Sequence, residues 1–194
     1  MTALLFLQGQ MTHKALRPIT LNVCWVSSGP PIYGVFVPLS NDCVNVSDAY
    51  GANQPAGDRD VFDTDNYPYY VFKDLCTHCV GPEDSKIYGS PVRGYWSGAE
   101  AKMFDAMDEV LIKAAKMNDK NTKATYITSF CNDKQTQAFK DAKELLNDVV
   151  LYKNENSNTF KIKKDPDTNE LTGEKVTVAP LKVTLDSSAY RSVP

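Results

Sequence analysis

The chain has 194 residues, of which 42% are hydrophobic and 23% charged, and its formal net charge at pH 7 is −3. This length suits one domain with a substantial core, and the small net charge gives no electrostatic reason to expect nucleic acid or an anionic membrane as a partner. No apolar run approaches the roughly 18 residues of a membrane span. Residues 3–7 are apolar but lack the basic region and cleavage site of a signal peptide. We therefore expect a cytoplasmic protein.

The N-terminal region offers one candidate site residue, Arg17, which directly precedes Pro18. A proline holds the residue before it in an extended conformation, so this arginine is expected to enter an extended segment. A solvated surface arginine and a binding-site arginine are equally compatible with this pattern.

Residues 23–38 predict a strand pair. Two runs of β-forming residues, 23–26 and 32–37, are separated by a turn-forming segment at 27–31. Nearly every side chain of the second run is apolar, so this strand is expected to be covered on both faces, and Pro38 is expected to end it. Residues 40–60 then predict a long loop that borders a site.

The middle of the chain predicts helices. A short one covers residues 69–75 with Pro68 in its first turn, and the surrounding aromatic residues are expected to pack in the core. Ser97 and Glu100 form a capping-box pattern that predicts an amphipathic helix running to about Met117. A further helix is expected from about Asn132. Residues 125–130 fit either an extended link or the first turns of that helix.

The last part of the chain predicts a β-rich tail. Residues 159–163 and 175–178 flank a turn-rich connector, which indicates a hairpin, and residues 181–185 alternate in polarity. The end, residues 187–194, is expected to be frayed. These patterns divide the chain into a main part, residues 1–155, and a hairpin-rich tail, residues 156–194.

Five cysteines occur at irregular spacing, and an odd number in a chain of this size favours reduced thiols. Cys76 and Cys79 have CxxC spacing, which is compatible with a redox pair or half of a zinc site. No second ligand pair completes a tetrahedral set, so ordinary thiols are favoured and no metal or cofactor is predicted. His13 is expected to be solvated.

Several of these stretches together resemble a known family, the C-terminal half of the dipeptidase A family of N-terminal-nucleophile cysteine peptidases. The resemblance covers about residues 15–150. It is carried by Arg17-Pro18-Ile19, Trp25, Gly29-Pro30, residues 35–38, residues 67–72 and residues 96–100.

The resemblance implies an α+β fold, part of an αββα sandwich, and hydrolysis of dipeptides. In that family the nucleophile is an N-terminal cysteine whose own α-amino group is the base. Arg17 and Trp25 would be the substrate-binding residues. Cys24 lies inside a predicted strand and cannot supply a free α-amine, and the family's His-x-x-Gln-x-Arg stretch has no counterpart before Trp25. The catalytic nucleophile is therefore absent, and the chain alone is expected to be inactive.

Two hypotheses follow from the absence of the family's nucleophile. The chain is the C-terminal portion of a dipeptidase, or it is a noncatalytic α/β module that binds a partner. An unpaired sheet edge would serve either as the contact with a complementing N-terminal half or as the contact in a homo-oligomer.

Overall fold

The computed structural model describes residues 23–47, 49–50, 67–156, 162–164, 167–168, 171–175 and 178–194. The described part is mainly helical. Its α-helices are α1 (Pro68–Cys79), α2 (Ser90–Ala114) and α3 (Lys120–Glu155), with a π-helix at Ser85–Gly89 and a 3₁₀ helix at Ser187–Arg191. Its antiparallel strand pairs are β1 (Val23–Val26) with β2 (Val37–Ser40), and β3 (Ile162–Lys164) with β4 (Leu171–Lys175).

The predicted αββα sandwich is wrong. Within the described ranges, strands occur only in two separate two-stranded sheets, while three helices provide most of the framework. The prediction failed at the apolar run 32–37, which was expected to be a strand. Tyr33 and Val35 are buried there without belonging to a strand. Helices cover this run, where a second sheet was expected.

The predicted pairing of two strands is confirmed, but the bounds predicted for the second strand, residues 32–37 with Pro38 ending it, are wrong. β1 has the predicted bounds, but its partner starts at Val37, and Pro38 lies inside β2 opposite Trp25. The short helix at 69–75 is also confirmed, since α1 begins with Pro68 in its first turn, where the missing N–H costs no helical hydrogen bond.

Both long helices start earlier than predicted. α2 starts at Ser90, before the expected cap at Ser97, because the apolar face already begins with the buried side chains of Val92 and Trp96. α3 starts at Lys120, where Asp119 accepts a hydrogen bond from the Thr122 N–H at 2.6 Å. Residues 125–130 are therefore the early turns of α3, one of the two alternatives that the sequence left open.

The tail is not β-rich. The β3–β4 hairpin is confirmed, but residues 181–186 have no regular secondary structure and residues 187–191 are helical. The Leu181 N–H donates to the carbonyl of Ile87 at 2.7 Å, and Arg191 forms an ion pair with Glu109 on α2. The expectation of a frayed end is therefore wrong. The division at residues 155 and 156 stays a prediction.

A buried carboxylate joins the C-terminal segment to the helices. Asp141 of α3 accepts hydrogen bonds from the hydroxyl groups of Tyr95 on α2, at 2.5 Å, and Tyr190 of the 3₁₀ helix, at 2.7 Å. The side chain of Gln137 donates a third bond to it at 2.7 Å. Three donors from separate positions satisfy a charge that would otherwise be costly to bury.

A buried ammonium lies close by on α3. Lys134 has no exposed surface, and its Nζ donates to Asp133 at 2.8 Å, to the carbonyl of Ala189 at 2.7 Å and to Ser192 Oγ at 2.8 Å. An ammonium group has three donors, so each one has a partner. Two of the three partners belong to the C-terminal segment.

None of the helices described is long and apolar enough to cross a membrane.

We predict that Tyr190→Phe destabilises the protein by about 1.5–3 kcal/mol, the usual loss for a buried hydrogen bond to a charged group. Tyr126→Phe is the matched control, because its hydroxyl donates to the carbonyl of Pro194 at an exposed position, and we expect a change within about 0.5 kcal/mol. Urea unfolding of both variants measures the difference. Equal stabilities would contradict the role of the Asp141 cluster.

We also predict a loss of stability at alkaline pH. Burial raises the pKa of Tyr50, Tyr95 and Tyr190, and Asp141 raises the pKa of the last two further. Because unfolded tyrosines titrate near pH 10, the folded state binds more protons above that pH. The stabilising contribution is therefore complete below about pH 10 and falls as the pH rises towards the higher folded-state pKa values.

Phenolate absorbance during an alkaline titration, followed together with circular dichroism, tests this prediction. We expect the ionisation of the buried tyrosines to coincide with loss of helical signal, whereas a chain unfolded in denaturant titrates all ten tyrosines near pH 10. Complete ionisation with an unchanged helical signal would refute it.

Candidate association site

The β1–β2 ribbon presents two different edges. The side chain of Gln135 on α3 donates from Nε2 to the carbonyl of Pro38 at 3.0 Å, so α3 occupies the outer edge of β2. Proline has no N–H to donate to a neighbouring strand. Pro38 is therefore suited to a position in β2 at which the backbone groups point away from β1. The opposite residue, Trp25, then directs its own N–H and carbonyl away from β2.

Among the described residues, no strand pairs with the outer edge of β1. In the part of the chain that the structure describes, β1 pairs only with β2. By the alternation of an antiparallel pair, Val23 and Trp25 direct their backbone groups outward. Val23, Cys24 and Val26 are all partly exposed. An edge whose backbone groups have no strand partner among the described residues, and whose side chains are apolar, is suited to strand addition.

The segment between the strands is held against the helices. Gly29 has φ +119°, a conformation that favours glycine, and a Cβ there would lie 3.0 Å from the Cβ of Phe72 on α1. At Gly89 a Cβ would lie within 2.7 Å of the Tyr33 ring. These two close approaches fix the ribbon on α1 and on the start of α2.

A half-buried carboxylate adds a third attachment. Glu100 of α2 accepts a hydrogen bond from the Phe36 N–H at 3.1 Å. Burial raises the pKa of Glu100, and the bond from Phe36 partly opposes that rise. The residue predicted to cap its own helix therefore pairs with a backbone group of the segment before β2.

The two predicted substrate-binding residues have different outcomes. Arg17 lies outside the described residues. Trp25 is 7% exposed, and its ring lies 4.0 Å from that of Phe104 on α2, centroid to centroid. The contacts of Trp25 are those of a core residue, and its proposed role in substrate binding stays a prediction.

The CxxC pair does not have the setting of a reactive site. Cys76 and Cys79 are buried in the last part of α1, whereas thiolates are favoured at helix N-termini. Burial raises the pKa of Cys79 to about 12, and it raises the pKa of Cys76 as well. Among the described residues no group of three or more histidine, cysteine or acidic side chains could hold a metal ion.

Comparison with protein-family models, with curated proteins and with solved structures finds no match. The geometry of the ribbon therefore carries the functional argument together with the sequence resemblance. Sequence reasoning missed the roles of Gln135 and Glu100 in holding the ribbon. A polar residue within a stripe of buried helix positions is the signal that marks Gln135, since it lies between Cys131 and Ala138.

We predict that Trp25→Ala destabilises the protein by about 3–5 kcal/mol, because it empties a core position next to Phe104. Ile32→Ala is the control, since Ile32 is 58% exposed in the same region, and we expect a change within about 0.5 kcal/mol. The midpoints of urea unfolding compare the variants. A Trp25 variant as stable as the control would show that the ring is not part of the core.

Proposed function

We propose that this chain is a noncatalytic portion of a cysteine-type dipeptidase, and that it associates with the half of the enzyme that carries an N-terminal cysteine. The outer edge of β1, which pairs with no other strand in the part of the chain that the structure describes, is the observation that carries the proposal. The sequence resemblance over about residues 15–150 supports the choice of partner, and dipeptides are the substrates of the assembled enzyme.

The positions of the cysteines support a noncatalytic role. The family's chemistry needs a thiol whose own α-amino group removes the proton, with a pKa near 7.7–8.0 for that amine. All five cysteines are free and internal, and each nitrogen is an amide. Cys24 is the one nearest the resemblance motif, and it lies inside β1. An amide nitrogen is not a base at neutral pH, so the reaction needs a nucleophile from the partner.

Strand addition supports the mode of association. A strand that joins β1 would pair with the outward backbone groups of Val23 and Trp25, and main-chain hydrogen bonds of this kind supply affinity. The helices already hold β1 in place through β2, so little ordering of the ribbon is required. A four-residue edge of a rigid ribbon is a better template than a free hairpin, which is marginally stable in water.

We predict that the purified chain does not hydrolyse dipeptides. Mixing it with a separately expressed N-terminal half of a dipeptidase A enzyme should restore hydrolysis that iodoacetamide abolishes. Val23→Pro should prevent the recovery, because it removes an outward N–H at the first residue of β1, where a proline is tolerated. Val23→Ala is the matched control and should retain it. Thiol-dependent turnover by the chain alone would overturn the noncatalytic role.

Association through the same edge also permits a second copy as partner, which would make the chain a noncatalytic binding module. Size-exclusion chromatography with light scattering separates the two candidates. A dimer that Val23→Pro dissociates, combined with no binding to the N-terminal half, favours the module. A monomer that binds the N-terminal half favours the dipeptidase.

A further inference from the structure

Two cysteines distant in sequence face each other where the loop after β2 crosses α3. Cys43 lies in that loop, residues 41–47, and is partly exposed, whereas Cys131 is completely buried on α3. Their thiol groups lie close enough to interact electrostatically. Both are free. An accessible thiol beside a buried one is the arrangement of an attacking and a resolving cysteine.

A series of polar contacts holds the loop on α3 on both sides of Cys43. Before it, Asp42 forms an ion pair with Lys123 at 3.7 Å. After it, the Val44 N–H donates to Thr128 Oγ1 at 2.9 Å. Further along, Asn132 Nδ2 donates to Asn45 Oδ1 at 2.8 Å, and the Ser47 N–H donates to Gln135 Oε1 at 3.1 Å.

The contact at Thr128 explains the pairing of the thiols. Thr128 and Cys131 are three residues apart on α3, and residues at this spacing are neighbours on one helical face. Val44 is bonded to Thr128, and its neighbour Cys43 is therefore placed over Cys131. The Cys43 N–H also donates to the carbonyl of Ser40 at 3.0 Å, which fixes the start of the loop.

The two thiols have different proton affinities. The interaction with the Cys131 thiol is the largest of the effects that lower the pKa of Cys43, while burial and the nearby Asp42 oppose that change. The same pairing and burial raise the pKa of Cys131. Lys123 partly compensates the charge of Asp42. Of the two thiols, Cys43 is therefore the one that ionises first, and Cys131 is the one that keeps its proton.

We propose that Cys43 and Cys131 form a thiol–disulfide exchange site that reacts with low-molecular-weight disulfides of the glutathione class. In the first step the Cys43 thiolate attacks one sulfur of glutathione disulfide. The disulfide bond breaks, a mixed disulfide forms at Cys43, and one glutathione leaves as a thiolate that takes a proton from water.

The second step closes the protein disulfide. Cys131 transfers its proton to the departing glutathione sulfur as its own sulfur attacks Cys43, so the second glutathione leaves as a thiol. Overall, the protein thiolate and thiol lose two electrons and one proton, and glutathione disulfide takes up two electrons and two protons to give two glutathione molecules. Solvent supplies the other proton. The product is a covalent link between the loop and α3.

The test is oxidation of the folded chain by glutathione disulfide, followed by blocking of the remaining thiols, proteolysis and mass spectrometry. We expect a peptide pair joined through Cys43 and Cys131 that has lost two hydrogen atoms, while Cys76 and Cys79 remain blocked as thiols. Free thiols at both Cys43 and Cys131 after oxidation would overturn the proposal. So would a link that forms only in denaturant.

Two variants test the order of the steps. Cys131→Ser should stop at the mixed disulfide and accumulate glutathione on Cys43, whereas Cys43→Ser should give neither product at this site. Cys76→Ser is the matched control and should form the link as the unaltered chain does. Because Cys131 is buried, circular dichroism is used to check that the Cys131→Ser variant is folded. If that variant is unfolded, the result for Cys43→Ser tests the proposal. Glutathione on Cys131 in the Cys43→Ser variant would contradict the assigned roles.

The pH profile gives an independent readout. A lowered pKa gives Cys43 more thiolate at neutral pH than an ordinary thiol with a pKa near 8.5, but a less basic thiolate is a weaker nucleophile, which offsets part of the gain. The shape of the profile therefore identifies the site. The rate of mixed-disulfide formation should level off at a pH below about 8.5, where the thiolate fraction of an ordinary thiol is still rising, and a continued rise to pH 9 would refute the role of Cys43.

Discussion

The buried carboxylate of Asp141 is the constraint on which the helical framework depends. It accepts hydrogen bonds from Tyr95 on α2, from Tyr190 in the 3₁₀ helix and from Gln137 on its own helix. A buried charge is tolerated only when its hydrogen bonds are made. Because the donors come from different elements, removing the C-terminal segment leaves the charge without one of its partners. The packing of α2, α3 and the chain end is therefore interdependent.

The same principle explains how a helical framework supports so much irregular chain. Buried backbone groups need partners, and here the helices provide them through polar side chains within otherwise apolar faces. Glu100 accepts from Phe36, Gln135 binds both Pro38 and Ser47, and Thr128 accepts from Val44. These bonds hold the ribbon and the loop after it against α2 and α3. This positioning fixes the two groups used in the proposals, the outer edge of β1 for strand addition and the Cys43 thiol for thiol–disulfide exchange.

Sequence patterns predicted those features that depend on neighbouring residues. The β1–β2 pair, the proline at the start of α1 and the β3–β4 hairpin all followed from local turn and helix signals. The predictions failed where a distant partner decided the outcome. Glu100 has the chemistry of a cap, but it pairs with the Phe36 N–H. Residues 181–185 alternate in polarity as a strand does, but they pack against helices. Their alternating burial therefore arose without strand pairing. No local sequence pattern predicts that Cys43 and Cys131 lie opposite each other.

Lys134 makes the attachment of the chain end observable. All three donors of its ammonium group are occupied, and two of the acceptors, the carbonyl of Ala189 and Ser192 Oγ, belong to the C-terminal segment. An acylating reagent needs an unprotonated, accessible amine, which this lysine provides only when that segment has come away. The chain thus contains its own probe of local opening: the acylation rate of Lys134, divided by that of an exposed lysine such as Lys120, measures how often the C-terminal turn detaches.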